Sequence, residues 1–154
     1  SEMQQHELTF ENALAKAIGD GIAEPDPSLD VEGWDTAFKI LILAKSLMHA
    51  STRLDEVSRI GIGADTEKLI RTAQSTGRRA RLVGRARIWR NIVRVSVAPK
   101  IVGPGSPFYE VNGTSKVAVF IVNGRQEIVA HSRSGRDAIS ECILDDVIQV
   151  AANS

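Results

Sequence analysis

Helical hydrophobic periodicity is clearest between residues 30 and 49, where DVEGWDTAFK runs into the apolar ILILA. Asp30 is predicted to cap this helix, because a short side-chain oxygen can accept a first-turn N–H. Phe38, Ile42 and Leu43 lie away from the main apolar stripe, so the helix is apolar nearly all round and is expected to be mostly buried. The main stripe consists of Ala37, Ile40, Leu41, Ala44, Leu47 and Met48.

Asp35 and Lys39 are four residues apart on this helix and therefore share a face. One interpretation is an exposed ion pair, which at this spacing contributes only about 0.3–0.5 kcal/mol. The other is a pair in a cleft walled by protein, because the surrounding helix is expected to be buried. A lysine among desolvated carboxylates can transfer protons, so the second interpretation carries chemistry.

The segment that leads into this helix is acidic and conformationally restricted. Residues 21–39 contain five acidic residues, two prolines and two glycines. Pro25 and Pro27 fix their own φ angles and bias the residues before them towards extended conformations, which predicts a rigid loop over residues 24–29. These carboxylates outnumber what helix capping requires, which favours a binding or catalytic role.

Further helices are predicted on either side of this region. Thr9 is expected to cap a helix that continues to about Ile18, before two glycines. After the central helix, a short strand or turn is predicted over residues 57–62. A helix over residues 66–74 follows it, and another is predicted within residues 134–152.

Over residues 79–88 the period changes to two, which predicts a strand with an arginine-rich face and an apolar face. These arginines are expected to be solvated or dimer-facing, and paired with acidic side chains. A strand over residues 93–97 is expected to end at Pro99, and Asn123–Gly124 predicts a hairpin between two later strands. Since no βαβ alternation is present, the pattern predicts an α+β fold with helices on one face of a mixed, largely antiparallel sheet.

The composition indicates a globular protein with no bulk attraction for polyanions. The chain has 154 residues, of which 43% are hydrophobic, and 19 basic residues balance 19 acidic ones. The longest apolar runs are much shorter than the roughly 20 residues of a membrane span, and no secretory signal is recognised. Cys142 is the only cysteine, which excludes an internal disulfide. We therefore expect a cytoplasmic protein with no metal site and with neither nucleic acid nor membrane as partner.

Residues 21–39, GIAEPDPSLDVEGWDTAFK, resemble the substrate loop and catalytic helix of homoserine dehydrogenases. These read approximately G-(Y/I/F)-A-E-x-D-P-x-x-D-V-x-G-x-D-x-x-x-K. The resemblance continues through SPFYEVNGTSKVAVF, although relatives usually have asparagine at the position of Lys116. It implies that the chain has a fold like that of the C-terminal domain of homoserine and semialdehyde dehydrogenases. Residues 6–152 would then be the substrate-binding, catalytic and dimerisation domain of a larger enzyme, after a disordered start or tag remnant at residues 1–5.

The resemblance also implies an activity and its residues. The parent enzyme would interconvert L-homoserine and L-aspartate 4-semialdehyde with NADP or NAD, in threonine and methionine biosynthesis. Lys39 and Asp35 would be catalytic, and Glu24 with Asp30 would bind the substrate ammonium. The enzyme would be a homodimer acting on a small molecule. The dinucleotide would be bound mainly by a further domain, because no G-x-G-x-x-G follows a strand here, and this fragment alone is expected to be inactive.

One segment departs from the family pattern. A glycine-rich turn, roughly G-x-G-A-G-x-x-x-T-A, usually lies beside the nicotinamide, but residues 131–140 read HSRSGRDAIS. Only Gly135 remains as a cofactor-binding candidate, and His131 and Arg133 stand where glycines allow close approach. Two alternatives therefore stay open: an inactive dimerisation or regulatory module, and a related NAD(P)-dependent semialdehyde or amino-acid dehydrogenase.

Overall fold

The chain forms two compact units, Ser1–Pro104 and Gly105–Ser154. A computed structural model describes residues 2–113, 115–122, 124, 126–133 and 148. The first unit contains α1 (Glu2–His6), α2 (Phe10–Gly19), α3 (Ser28–Val31), α4 (Trp34–Met48), a 3₁₀ turn (Leu54–Glu56), β1 (Ser58–Arg59), α5 (Ala64–Gln74), β2 (Arg79–Trp89) and β3 (Ile92–Val102). The second contains β4 (Ser115–Val122) and β5 (Gln126–Arg133).

The sheet of the first unit is mixed, which confirms the predicted fold class. β3 lies between its neighbours, parallel to β1 and antiparallel to β2. Helices α4 and α5 both pack against β2 and β3. Ala80 shares a core cluster with Ile70 of α5, and Gly84 lies against Ile40 of α4. Because Ala80 and Gly84 are four residues apart in β2, both helices cover the same face of the sheet.

The hydrophobic core of the first unit has two parts. One joins the N-terminal helices to α5 and β2, and the other lies between α4 and β3. Met3, Ala13, Ile70 and Ala80 form the first cluster, and Leu41, Ala44, Ala50 and Val95 form the second.

In the second unit, β4 and β5 pair antiparallel over their whole length. This confirms the hairpin predicted from the two apolar runs on either side of Asn123–Gly124. The helix predicted within residues 134–152, together with Gly135 and Cys142, lies outside the described residues except for Ile148, which is helical.

The central helix begins later than predicted. Asp30 does not cap α4; it lies inside α3, and the residue that precedes α4 is Gly33. Gly33 has φ of 80°, a left-handed conformation that separates the two helices and that glycine adopts without steric cost. A Cβ at this position would lie 3.3 Å from Val97 Cγ1, so the break occurs where the chain turns against the sheet.

The N-terminus also differs from the expected disordered start. Residues 2–6 form α1, which packs against α2 and α5. Met3 is buried, and Gln74 Nε2 donates a hydrogen bond to the carbonyl oxygen of Gln4 at 3.0 Å. The sequence did not predict this helix, because five residues with a single buried apolar side chain show no hydrophobic periodicity.

The strand break predicted at Pro99 is wrong, because β3 continues to Val102. Val97 accepts a hydrogen bond from the Ile60 N–H on the β1 side, and Pro99, two residues on, directs its backbone nitrogen to the same side. The β1 ladder ends at the partner of Val97. The missing N–H of Pro99 therefore removes no ladder hydrogen bond.

Of the β2 arginines, Arg81 donates from Nη1 to Gln4 Oε1 of α1 at 3.0 Å. Arg85 and Arg87 face away from α4, as the alternation predicts, but their expected pairing with acids is incorrect. Among the described residues, the exposed Arg85 and Arg87 form no salt bridge. The register explains this, because Arg85 lies opposite Ser96 and Arg87 lies opposite Arg94. Neither neighbour offers a carboxylate.

Gly61 marks a close backbone crossing between the segment after β1 and the end of α3. A Cβ on Gly61 would lie 2.5 Å from Val31 O and 2.7 Å from Glu32 Cα. The next residue, Ile62, donates its N–H to Val31 O at 2.6 Å. Since the opposing atoms belong to the backbone, they cannot rotate aside, and only glycine fits here without displacing the chain.

Replacing Gly61 by alanine should therefore lower the free energy of unfolding by about 1–3 kcal/mol, the usual cost of overpacking. Urea denaturation of this chain measures the effect. Gly63→Ala is the matched control, because a Cβ there meets nothing within 4 Å and the backbone is extended, with φ of −165°. If both variants lost the same free energy of unfolding, the conclusion that the backbone crossing excludes a Cβ at Gly61 would be contradicted.

Candidate active site

The ion pair predicted on the central helix is formed. Asp35 lies in the first turn of α4, and Lys39 Nζ is 2.5 Å from Asp35 Oδ2. The Lys39 and Asp35 side chains are 50% and 43% exposed, respectively. The expectation of a closed cleft is therefore wrong within the described residues, where the pair borders solvent.

The reason is that α4 buries only a narrow stripe. Ala37, Leu41 and Ala44 are buried, and Leu41 and Ala44 belong to the core cluster that contains Val95 of β3. Phe38 and Ile42 are exposed, so the expectation of a mostly buried helix fails as well. Phe38 is three residues after Asp35 and Ile42 is three after Lys39, so both lie beside the ion pair on the helix surface. The pair thus has an open apolar border.

The two predicted substrate-binding acids are also exposed. Glu24 lies in the loop before α3, and Asp30 lies within α3, which packs against α4. The structure thus brings Asp35 and Lys39 into contact, and the convergence of Glu24 and Asp30 on them stays a prediction.

Asp26, between these two acids, has a structural role. Its Oδ1 accepts a hydrogen bond from the Ser28 N–H at 3.1 Å, which forms a turn at the start of α3. Hydrogen bonds from the Ser28 side chain and backbone hold the pKa of the Asp26 carboxyl below its usual range. The rigid loop predicted over residues 24–29 ends earlier than expected, because Ser28 already begins α3.

A polar and aromatic cluster that the sequence pattern did not predict surrounds the start of α4. Trp34 Nε1 donates to Glu32 Oε2 at 3.0 Å, and the Trp34 and Phe38 rings stack with centroids 6.0 Å apart. The Arg59 guanidinium carbon lies 3.7 Å from the Trp34 ring centroid. The available signals were the Trp34/Phe38 spacing of four and an arginine directly before the glycine-rich IGIG.

The other candidates give no second site. His131 lies exposed in β5, opposite Val117. Within the described parts of the chain, no group of three or more His, Cys, Asp or Glu residues could hold a metal ion. No helix among these same residues is long and apolar enough to cross a membrane.

The sequence pattern of the homoserine dehydrogenase family matches residues 1–148. The chain belongs to the homoserine dehydrogenase family. A homoserine dehydrogenase of Methanocaldococcus jannaschii is 36% identical over 151 residues, covering 97% of this chain and 44% of that protein. An NAD(+)-dependent homoserine dehydrogenase of Pseudomonas canavaninivorans is 30% identical over 145 residues, covering 93% and 41%.

Solved homoserine dehydrogenases share the fold. The S. aureus enzyme at pH 6.0 superposes with a TM-score of 0.88 at 27% identity, covering 99% of this chain and 39% of that one. The Thiobacillus denitrificans enzyme gives 0.89 at 25% identity, covering 97% and 35%. This homoserine dehydrogenase family chain therefore spans about two fifths of the length of the proteins that it matches.

Proposed function

We propose that this chain is the substrate-binding and catalytic part of a homoserine dehydrogenase, which interconverts L-homoserine and L-aspartate 4-semialdehyde. The observation that carries the proposal is the Asp35/Lys39 ion pair on α4, in a chain that matches the family pattern over residues 1–148. The product would enter threonine and methionine biosynthesis. Members of this family are oxidoreductases, and we propose NAD or NADP as the cofactor.

The reaction needs a proton carrier at the substrate oxygen. When bound, the nicotinamide cofactor supplies the hydride donor or acceptor. In the direction of reduction, the Lys39 ammonium would donate a proton to the carbonyl oxygen as negative charge develops there. In the direction of oxidation, the neutral Lys39 amine would accept the hydroxyl proton. Asp35, in contact with Lys39 Nζ, would hold the ammonium in position.

The surroundings of the pair fit this chemistry. The half-exposed Lys39 is accessible to a substrate, and the exposed side chains of Phe38 and Ile42 offer an apolar border to a flat ring or to the substrate methylenes. Closure of this surface by the substrate and cofactor would exclude water and strengthen the local electrostatics. Gly135, outside the described residues, is the candidate of this chain for contact with the cofactor, which we propose is bound mainly by another part of the enzyme.

Glu24 and Asp30 would bind the substrate ammonium. Both carboxylates are exposed, and α3 packs against α4, so the acidic loop is attached to the helix that carries Lys39. Charge-assisted hydrogen bonds from an ammonium to carboxylates are among the stronger polar contacts. The same contacts would favour an amino acid over a simple alcohol.

An inactive dimerisation or regulatory module is the second candidate, because residues 131–140 lack most glycines of the family turn. A third is a related NAD(P)-dependent semialdehyde or amino-acid dehydrogenase. The complete wild-type protein separates these candidates. Homoserine-dependent reduction of NAD or NADP supports the proposed function, reduction with a different amino alcohol supports the third candidate, and no reduction of either cofactor supports the module.

In the complete enzyme, Lys39→Met should lower kcat by about 10²–10⁴-fold with little change in KM for homoserine, since general acid–base catalysis contributes this much. Steady-state kinetics measures both constants. Lys16→Met is the matched control, because Lys16 forms an ion pair with Asp20 at the same spacing and similar exposure on α2. The control should keep full kcat, and neither variant should change the free energy of unfolding by more than about 0.5 kcal/mol. Near-normal kcat in Lys39→Met would refute the mechanism.

Glu24→Gln should act on substrate binding. Loss of a charge-assisted contact to the ammonium should raise KM for homoserine by the equivalent of about 1.5–3 kcal/mol of binding, with kcat less affected. The KM for the nicotinamide cofactor is the internal control and should not change. A fall in kcat alone would contradict the assigned role.

We also propose a homodimer formed through the sheet. Within the first unit, α4 and α5 cover one face of the sheet, and Trp89 and Ile92 are exposed at the far end of the β2/β3 hairpin. Homodimers with two-fold symmetry are the commonest assemblies among soluble oligomers. Sedimentation at tens of micromolar should show a dimer, and Ile92→Glu should shift it towards monomer. Ile22→Glu, at a similarly exposed isoleucine in the loop after α2, should leave it dimeric. A monomeric wild type would overturn the proposal.

A further inference from the structure

Arg59 is held at the start of α4 by three contacts. Its NH1 group donates to the backbone carbonyl of Glu32 and lies 3.7 Å from the Glu32 carboxylate. Its guanidinium also stacks on the Trp34 ring, with the central carbon 3.7 Å from the ring centroid. The side chain is 22% exposed, whereas that of Arg53 is 77% exposed. Arg59 is therefore enclosed by these partners rather than extended into solvent.

These contacts hold both sides of the α3/α4 junction. Glu32 precedes Gly33 and Trp34 follows it, and no side chain caps α4 at Gly33. A left-handed glycine without a side-chain cap leaves the direction of the helix start weakly determined by local structure. Arg59 supplies the missing constraint, because one guanidinium binds the last carbonyl before Gly33 and the first ring after it.

The other end of Arg59 is attached to the sheet. Its backbone lies in β1, with Val97 of β3 as the parallel partner, and Val97 is almost fully buried. The planar, multiply donating guanidinium suits this combination of stacking and hydrogen bonding, which a lysine ammonium does not reproduce. Arg59 therefore links the buried strand directly to the first turn of α4.

The first two turns of α4 carry the proposed chemistry. Trp34 is adjacent to Asp35, and Phe38, stacked on Trp34, is adjacent to Lys39. Because each aromatic residue precedes a member of the ion pair by one position, a rotation or shift of the helix start that displaces Trp34 also displaces Asp35. Displacements of about 1 Å at a reacting group can reduce rates by about 10²-fold.

We propose that Arg59 is a positioning residue for the Asp35/Lys39 pair, acting through Glu32 and Trp34 without touching the substrate. The proposal rests on the catalytic role proposed for Lys39. It predicts that Arg59 contributes to kcat only while Lys39 is present. A residue that served folding alone would instead affect both backgrounds equally.

The test is a double-mutant cycle in the complete enzyme. Arg59→Met, which keeps an apolar stem, should lower kcat for homoserine by about tenfold to hundredfold and leave KM for the nicotinamide cofactor unchanged. In the Lys39→Met background the same change should have no further effect on kcat. Arg53→Met is the matched control and should be neutral, because Arg53 forms an exposed ion pair with Asp55.

Each result has a separate meaning. The positioning role would be overturned if Arg59→Met lowered kcat equally in the wild-type and Lys39→Met backgrounds. It would also be overturned if Arg59→Met alone left kcat unchanged. A Lys39→Met enzyme with normal kcat would instead refute the proposed function. If Arg59→Met does not fold, Glu32→Gln tests the same link, since it weakens the ionic contact to Arg59 and keeps an oxygen acceptor for Trp34. It should lower kcat in the same Lys39-dependent manner, and an additive effect would overturn the proposal.

Discussion

The close crossing of the segment after β1 over the end of α3 determines how the start of α4 is held. At this crossing Gly61 contacts the backbone of Val31 and Glu32, and Ile62 donates a hydrogen bond to Val31. Arg59, two residues before Gly61, contacts Glu32 at the end of α3 and Trp34 at the start of α4. Backbone contact of this kind tolerates no extra atom, so it determines where α3 ends and where α4 can start. The sheet and the helix are connected through this short stretch, through the small residues packed beneath α4 and through the core cluster that contains Leu41 and Val95.

Small residues make the second contact between helix and sheet. Gly84 of β2 lies under Thr36 and Ile40, with distances of 3.0–3.2 Å from its would-be Cβ. Ala37 and Ala44 are almost completely buried on the same helix. Small side chains at such contacts let a helix approach a sheet closely, and Phe38 and Ile42 lie on the open side of α4, whereas Leu41 is buried. This packing explains why a strongly hydrophobic helix carries an exposed ion pair.

An exposed ion pair of this kind contributes little to folding. The side chains of Asp35 and Lys39 are about half exposed, and pairs in such positions contribute well under 1 kcal/mol. Stability therefore gives no reason for this particular pair among Phe38, Ile42 and the stacked Trp34. The chemical proposal gives one, because an accessible ammonium held by a carboxylate can transfer a proton to a bound substrate.

The sequence by itself determined the features that depend on local periodicity and on charge spacing. The Thr9 cap of α2, the alternation in β2, the β4/β5 hairpin and the contact between Asp35 and Lys39 follow from residues close together in the chain. Only the tertiary structure decided the helix break at Gly33, the continuation of β3 through Pro99 and the contacts of Arg59. The helix break depends on packing of Gly33 against Val97, and the continuation of β3 depends on where the β1 ladder ends. The third feature is the stacking of Arg59 on Trp34, which lies 25 positions earlier in the chain. Each is a contact between distant segments, which periodicity cannot reveal because it reports only the faces of single elements.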